Sequence, residues 1–170
     1  IRKNMVDDVQ LLLSSQLNGG TILAVIPEDK NLLNPTMKEI HDQLGGKLLY
    51  GEKQLTNQVD NFVTGAMHLP HFLKHIVENV LIITPGDRGD IIIGALQAGI
   101  SVNYPKIAGI VLTAGIEPEE PVLRLLDGLQ TVLPIISVKE GTFQTTALLG
   151  SIKSRISSDN SKKIQLAIST

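Results

Sequence analysis

The chain contains no cysteine and no tryptophan, and it has two tyrosines and three phenylalanines among 170 residues. The missing thiols exclude disulfides, cysteine nucleophiles and thiolate metal sites, and they fit a cytoplasmic location. Lysine and arginine number 15 against 17 acidic residues and form no basic block, which argues against nucleic acid or a membrane surface as a partner. No apolar run approaches the ~18 residues of a membrane span, and no signal-peptide pattern opens the chain.

The sequence also lacks the usual motifs of nucleotide and hydrolase chemistry. Neither G-x-x-x-x-G-K-[ST] nor G-x-G-x-x-G occurs, which argues against a kinase, an ATPase or a nicotinamide-dependent enzyme. A G-x-S-x-G nucleophile elbow is absent as well. We therefore expect no catalytic residues and no cofactor, with one alternative left open: Asp87 or Asp90 could act as a base if the fragment were an enzyme in its own right.

What the sequence does contain is an alternation of strand-like and helix-like segments over about 150 residues, with a mean hydropathy of +0.16. This alternation predicts a three-layer α/β/α fold with a mostly parallel, mixed sheet of about five or six strands. The expected strands are residues 21–26, 47–50, 59–64, 80–84, 107–113 and 135–138. The strands at 47–50 and 59–64 leave no room for a crossover helix between them, so we expect them to be neighbours of mixed orientation.

The flanking segments differ in composition from this α/β region. We expect an N-terminal helix or linker over residues 1–19, the α/β domain over 20–156, and a C-terminal linker over 157–170, which is rich in serine, asparagine and lysine. Because the chain begins at Ile1 rather than methionine, we take it for a piece of a longer protein.

The central stretch of the domain is a strand, a tight turn and a helix. Residues 80–84 form a β-branched apolar run, Pro85-Gly86 closes it, and apolar residues then recur at helical spacing from residue 92 to 99. Asp87, Arg88 and Asp90 fall at the junction. Asp87 is expected to cap the helix, and Arg88 could bind a carboxylate of a partner subunit or an anionic ligand.

Three predicted strands end alike, in a threonine followed by a glycine-containing turn. The pairs are Thr64 with Gly65, Thr84 with Gly86, and Thr113 with Gly115. In a parallel sheet these ends lie on one edge, where open α/β sheets bind ligands. The alternatives are a ligand-binding rim, or threonine and glycine that simply suit strand ends and turns.

Three of the four histidines, His68, His71 and His75, lie close together in a segment predicted to be a short helix. An i, i+4 pair such as His71 and His75 could bind zinc, but such sites need a third ligand within reach. We therefore favour a solvated or interface face for these histidines and predict no metal site.

The segment Gly86-Asp87-Arg88 after a strand, preceded by residues 63–67 (Val-Thr-Gly-Ala-Met) and 25–27 (Val-Ile-Pro), resembles the DRTGG domain. It is more closely similar to the version in the middle of long-form bacterial phosphotransacetylases and their dethiobiotin-synthetase-like relatives. The resemblance covers roughly residues 20–156. Where the family name expects Thr-Gly-Gly after Asp-Arg, residues 89–91 are Gly-Asp-Ile, a variation that the phosphotransacetylase branch tolerates.

This resemblance implies a non-catalytic regulatory or oligomerisation domain in a cytoplasmic protein that transfers acetyl between coenzyme A and phosphate. It implies a homodimer formed through this domain, contacts with other domains of the same chain, and no catalytic residues within it. The alternative is a sensing module that binds a nucleotide or another anion at the carboxyl edge of the sheet. Its candidate ligand-binding residues are Thr64, Gly65, Thr84, Gly86, Asp87, Arg88, Thr113 and Gly115.

Overall fold

The computed structural model describes residues 5–16, 30–129, 132–152 and 163–165. These residues fall into two compact units, one containing the first two helices and residues 163–165, the other running from Asn34 onward to residue 152. The expected strand at 21–26 and most of the expected linker at 157–170 lie outside the described residues. Within the described part of the chain, no helix is long and apolar enough to cross a membrane.

Secondary structure alternates along the described chain as the hydrophobic pattern predicts. The α-helices are α1 (Val6–Gln16), α2 (Lys30–Leu33), α3 (Met37–Leu44), α4 (Leu69–Phe72), α5 (Gly89–Ile100), α6 (Glu120–Asp127) and α7 (Thr142–Ser151). The strands are β1 (Lys47–Tyr50), β2 (Asn61–Thr64), β3 (Val80–Pro85), β4 (Ile107–Thr113) and β5 (Ile135–Ser137). Short 3₁₀ helices follow β1, at Glu52–Gln54, and α4, at Leu73–His75.

The five described strands form one sheet in the order β1-β5-β4-β3-β2, with β1 antiparallel and the others parallel. Side chains alternate between its two faces. Ile82 and Ile110 pack beneath α4, α5 and α6 in one core cluster, whereas Leu81 and Val111 pack beneath α3 and α7 in another. The α/β/α layering and the mostly parallel sheet are thus confirmed.

The expectation that β1 and β2 are neighbours is wrong, because these strands form opposite edges of the sheet. The segment between them crosses the amino ends of the three central strands. Gly51 lies against Leu133 and Pro134 before β5, the Asn57 side chain donates to the carbonyl of Ala108 in β4, and the Asp60 amide donates to the carbonyl of Asn79 before β3. Four strand spacings of about 4.8 Å each separate β1 from β2. Residues 51–60 cover that distance with one short 3₁₀ helix, Glu52–Gln54, and no α-helix.

A polar contact fastens the β1 edge of the sheet to the helical layer. The Tyr50 hydroxyl donates a 2.8 Å hydrogen bond to Oδ1 of Asp127 at the end of α6. Burial, followed by this hydrogen bond and the nearby negative charge, raises the pKa of Tyr50 to about 12. The neutral phenol is therefore the form that the fold stabilises.

Candidate functional site

The strand, turn and helix predicted for residues 80–99 are present, and the strand, β3, lies between β4 and the edge strand β2. β3 is buried over its first five residues, and α5 follows after a turn of three residues. The residue at the N-cap of α5 is Arg88, whose carbonyl accepts from the amides of Ile91 and Ile92. The expectation that Asp87 caps this helix is therefore wrong: its side chain is exposed and lies one position too early to reach the first-turn amides.

The Arg88 side chain folds back and joins two parts of the structure. Its Nη1 donates to the carbonyl of Gly65 at 3.0 Å, and its Nη2 donates to the carbonyl of Met67 at 2.8 Å. The same guanidinium makes a bidentate pair with Asp90, Nε to Oδ1 at 2.8 Å and Nη2 to Oδ2 at 2.9 Å. These contacts use four of the five N–H donors of the guanidinium. We call this arrangement, Arg88 with Asp90 and residues 65–67, the Arg88 clamp.

The clamp pairs two of the three charged side chains at this turn, Arg88 and Asp90. The hydrogen bond from Arg88 lowers the pKa of the Asp90 carboxyl, and hydrogen bonds from the backbone of Ile91 and of Asp90 itself lower it further. The reciprocal hydrogen bond to Asp90 raises the pKa of Arg88. Asp90 therefore stays ionised and is a weak proton acceptor, which makes it a poor general base.

Two of the three candidate threonines are buried. Thr84 has no exposed surface, and its hydroxyl donates to the carbonyl of Gly65 at 3.4 Å. Thr113 is equally buried and shares a 2.9 Å hydrogen bond with the hydroxyl of Thr142 at the start of α7. Both residues do lie at the carboxyl ends of neighbouring strands, since Thr84 pairs with Leu112. Their hydroxyls tie strand ends to adjacent elements, while Thr64 at the end of β2 is half-buried.

The candidate glycines serve different places in the fold. The carbonyl of Gly65 accepts from both Thr84 and Arg88, so this residue sits at the centre of the clamp. Gly86 is required by close approach, because a Cβ there would collide with the carbonyl oxygen of Ile116. Gly115 adopts a left-handed φ of +64°, beside Ala114 at +65°, in a turn whose amides donate to the β5–α7 connection. The structure therefore brings Gly65, Thr84 and Arg88 together, and it places Thr113 and Gly115 in a separate cluster.

An open cleft of about 440 Å³ lies beside the Arg88 clamp. Its lining combines apolar and titratable side chains: Ala66, Met67, His68, His71, Arg88 and Asp90. His68 is the N-cap of α4 and makes no side-chain capping bond. His68 and His71 are both exposed, so the imidazoles border the cleft and remain accessible to solvent.

The three clustered histidines do not share one helix face. His71 lies in α4, but His75 lies in the following 3₁₀ helix and does not line the cleft. Among the described residues, no group of three histidine, cysteine, aspartate or glutamate side chains could hold a metal ion.

Sequence reasoning singled out Arg88 and Gly65 but did not connect them with the histidines. The connection depends on β2 and β3 being parallel neighbours in register, with Thr64 beside Ile83. That register places the loop after β2 next to the first turn of α5. One local feature of the sequence could have pointed to Ala66 and Met67. These residues directly follow the Thr64-Gly65 strand end, and a loop at that position borders the carboxyl edge of a parallel sheet.

Comparison with known proteins places this geometry in a family. Residues 39–152 match the DRTGG domain. The chain belongs to the DRTGG domain family. The cleft and the Arg88 clamp both lie within the matched residues of this DRTGG domain, and the predicted family is confirmed.

Relatives of the DRTGG domain include phosphate acetyltransferases. The chain is 40% identical over 159 residues to the phosphate acetyltransferase of Nitratidesulfovibrio vulgaris, covering 92% of this chain and 23% of that protein. It is 40% identical over 148 residues to the enzyme of Synechocystis, covering 86% and 21% respectively, and 26% identical over 163 residues to that of Escherichia coli, covering 95% and 22%. The chain thus spans about a fifth of the length of the curated relatives it matches.

A solved structure has a similar fold. The CBS and DRTGG domains of the regulatory region of Clostridium perfringens pyrophosphatase, crystallised with the activator diadenosine tetraphosphate, superpose with a TM-score of 0.53 at 17% identity. The match covers 95% of this chain and 69% of that one. At this identity the likeness supports the α/β fold and leaves the ligand as a property of that protein.

Proposed function

We propose that this DRTGG domain is a non-catalytic regulatory and assembly domain of a phosphate-acetyltransferase-like protein. In the whole protein, acetyl would move between coenzyme A and phosphate in another domain, and this one would bind a small-molecule effector and associate with a second copy. The domain would extend over residues 20–156, with 1–19 and 157–170 as its connections to the rest of the chain. The observation that carries the proposal is the cleft beside the Arg88 clamp.

The clamp suits signalling better than chemistry. Arg88 links the loop after β2 to the first turn of α5 through partners on both sides, Gly65 and Met67 on one and Asp90 on the other. A ligand that enters the cleft contacts the Met67 loop and Asp90 together. Any shift of that loop is therefore passed through the guanidinium to α5. The lowered pKa of Asp90 makes this carboxylate a poor general base.

The lining of the cleft suits a small effector that combines hydrogen-bond acceptors with an apolar part. Its volume of about 440 Å³ falls within the range of small-molecule sites. His68 and His71 present imidazole N–H donors at the rim, and Met67 offers an apolar contact. Because the Clostridium perfringens regulatory region was solved with a dinucleoside tetraphosphate activator, nucleotides are the first ligands to test. The candidate site is then the cleft lining together with Thr64, Gly65 and Arg88, while Thr84, Gly86 and Thr113 support it from within the fold.

Isothermal titration calorimetry on the 170-residue chain tests this proposal. Adenine nucleotides, diadenosine tetraphosphate, coenzyme A, acetyl phosphate and pyruvate are titrated separately. The proposal expects at least one of them to bind, and His71→Ala to weaken that binding by about fivefold or more, as the loss of one hydrogen bond does. His75→Ala is the matched control, because His75 is exposed in the same segment but does not line the cleft.

Two results would contradict the effector role. One is the absence of binding for every compound in the series. The other is equal weakening by His71→Ala and His75→Ala, which would place the ligand elsewhere. Acetyl transfer by the 170-residue chain alone would contradict the non-catalytic part of the proposal.

A further inference from the structure

A second concave surface lies on the helical layer that covers the first core cluster. It is a groove of about 240 Å³ between α5 and α6, which we call the α5–α6 groove. Ile93 and Ile100 border it on α5, and Leu125 and Leu129 border it on the side of α6. Among the described residues that line the groove, the polar side chains are two glutamines and none carries a charge.

Several aliphatic side chains at the rim of this groove and beside it are exposed. Ile100 is 68% exposed and Leu125 is 57% exposed, and Val102, two residues beyond the end of α5, is 98% exposed. With Ile93 and Leu129, the exposed fractions add to about three whole aliphatic residues, or roughly 500 Å² of apolar surface. The largest apolar patch on a typical monomer covers about 300–600 Å² and is often functional, which makes this surface a candidate contact site.

The patch is large enough to supply the apolar part of a dimer contact. A standard interface buries about 800 Å² on each partner, and the central part of a homodimer interface is about 65% apolar. Those figures require about 520 Å² of apolar surface per copy, which this patch provides. The surface also carries both a groove and protruding side chains beside it, at Ile100 and Val102, so two copies related by a two-fold axis can fill each other's groove.

We infer that the α5–α6 groove is the surface through which two copies of this chain associate, α5 and α6 of one against α5 and α6 of the other. This inference rests on the self-association proposed above and specifies its surface. It also joins that surface to the cleft, because α5 begins at the Arg88 clamp and ends at Ile100 on the rim of the groove. Binding of an effector at one end of α5 and pairing at the other end would therefore be coupled, each changing the affinity of the other.

Sedimentation equilibrium of the 170-residue chain, across about a hundredfold range of concentration, measures the association. The inference expects a dimer, and it expects Leu125→Lys to weaken dimerisation by about tenfold or more, because a lysine would be buried in an apolar contact. Phe143→Lys is the matched control, since Phe143 is 87% exposed on α7, against the opposite face of the sheet. Circular dichroism verifies that each variant is folded, and Val102→Lys replaces Leu125→Lys if that variant is not.

The possible outcomes separate the two proposals. A chain that stays monomeric at every concentration overturns both the self-association and the role of the groove, and would leave the groove to another part of a longer protein. A dimer that persists unchanged in Leu125→Lys and Val102→Lys overturns the groove alone. Whether the cleft binds a ligand is measured separately, by the titrations of the unmodified chain and of His71→Ala, so neither sedimentation result decides that question.

Discussion

Replacing Arg88 with alanine removes the link between the β2 loop and α5, and we expect the folded state to lose about 2 kcal/mol. The variant deletes two hydrogen bonds to the carbonyls of Gly65 and Met67 and a bidentate pair with Asp90. No cavity forms in the core, since the Arg88 side chain lies at the surface of the first helical turn with 28% of it exposed. The loss is therefore one of polar contacts rather than of packing.

The magnitude follows from the exposure of each partner. The Asp90 side chain is 46% exposed, so water screens the ion pair and its share is about 0.5–1 kcal/mol. Gly65 is buried, and its hydrogen bond to a charged donor contributes about 1–1.5 kcal/mol, because Thr84 offers only a longer substitute at 3.4 Å. Met67 is exposed, and water replaces the lost donor there at little cost.

Urea unfolding followed by circular dichroism measures the change. We expect a lower midpoint with an unchanged m value, and a fall in Tm of about 4–8 °C for a chain of this length. Arg88→Lys keeps the charge but loses the planar fork, so it should retain less than half of the stabilisation. Arg124→Ala, on an exposed position of α6, is the control. A neutral surface substitution changes the free energy of unfolding by less than about 0.5 kcal/mol. If Arg88→Ala changes it by no more than that, the clamp does not hold these elements together.

Three further substitutions test other contacts by the same unfolding measurement. Gly86→Ala should destabilise the fold by about 2 kcal/mol or more, because the new methyl group meets the carbonyl oxygen of Ile116. Gly150→Ala is the control: residue 150 lies in open space on α7, and this substitution should stabilise the fold by about 0.5–1 kcal/mol. Equal effects of the two substitutions would disprove the close approach at Gly86. Tyr50→Phe should lower the free energy of unfolding by about 1 kcal/mol at neutral pH. Because the pKa of Tyr50 is raised in the folded state, this difference should shrink as pH rises from about 10 towards 12. A difference that does not depend on pH would argue against the hydrogen bond to Asp127. Ala114→Gly should be neutral or stabilise the fold by up to about 1 kcal/mol, because φ of residue 114 is +65°. The control, Ala147→Gly in α7, should destabilise the fold by about 1 kcal/mol. A similar loss of stability in both variants would mean that residue 114 carries no strain.

The layering of the fold could be predicted because hydrophobic pattern and strand length are local properties. β3 and β4 are buried almost throughout, and only a sheet covered on both faces accommodates such continuous apolar runs. Strand order could not be predicted in the same way. The β1 and β2 strands were expected to pair because they are close in sequence, yet β1 pairs with β5. That choice depends on which edge of the buried parallel strands is open, which is a property of the whole sheet.

The site shows the same division. A charged turn at the end of β3 and the start of α5 was predictable from residues 80–99, whereas the carboxylate expected for Arg88 was one from a partner subunit or a ligand. The partner it binds is Asp90, two positions away. Burial of the Thr84 and Thr113 hydroxyls was not predictable, since it depends on the neighbouring loop and on α7. The prediction that Asp87 caps α5 failed because the helix starts one residue later than the turn motif suggests.

The position of β5 affects how the chain folds while it is being synthesised. This strand, the last of the five described, is inserted between β1 and β4, so neither of those strands has its final neighbour until residues 135–137 have been synthesised. Until then β4, buried at all seven positions in the finished sheet, presents an unprotected edge that invites aggregation. Recombinant fragments that stop before residue 137 should accordingly precipitate at concentrations at which the 170-residue chain stays in solution.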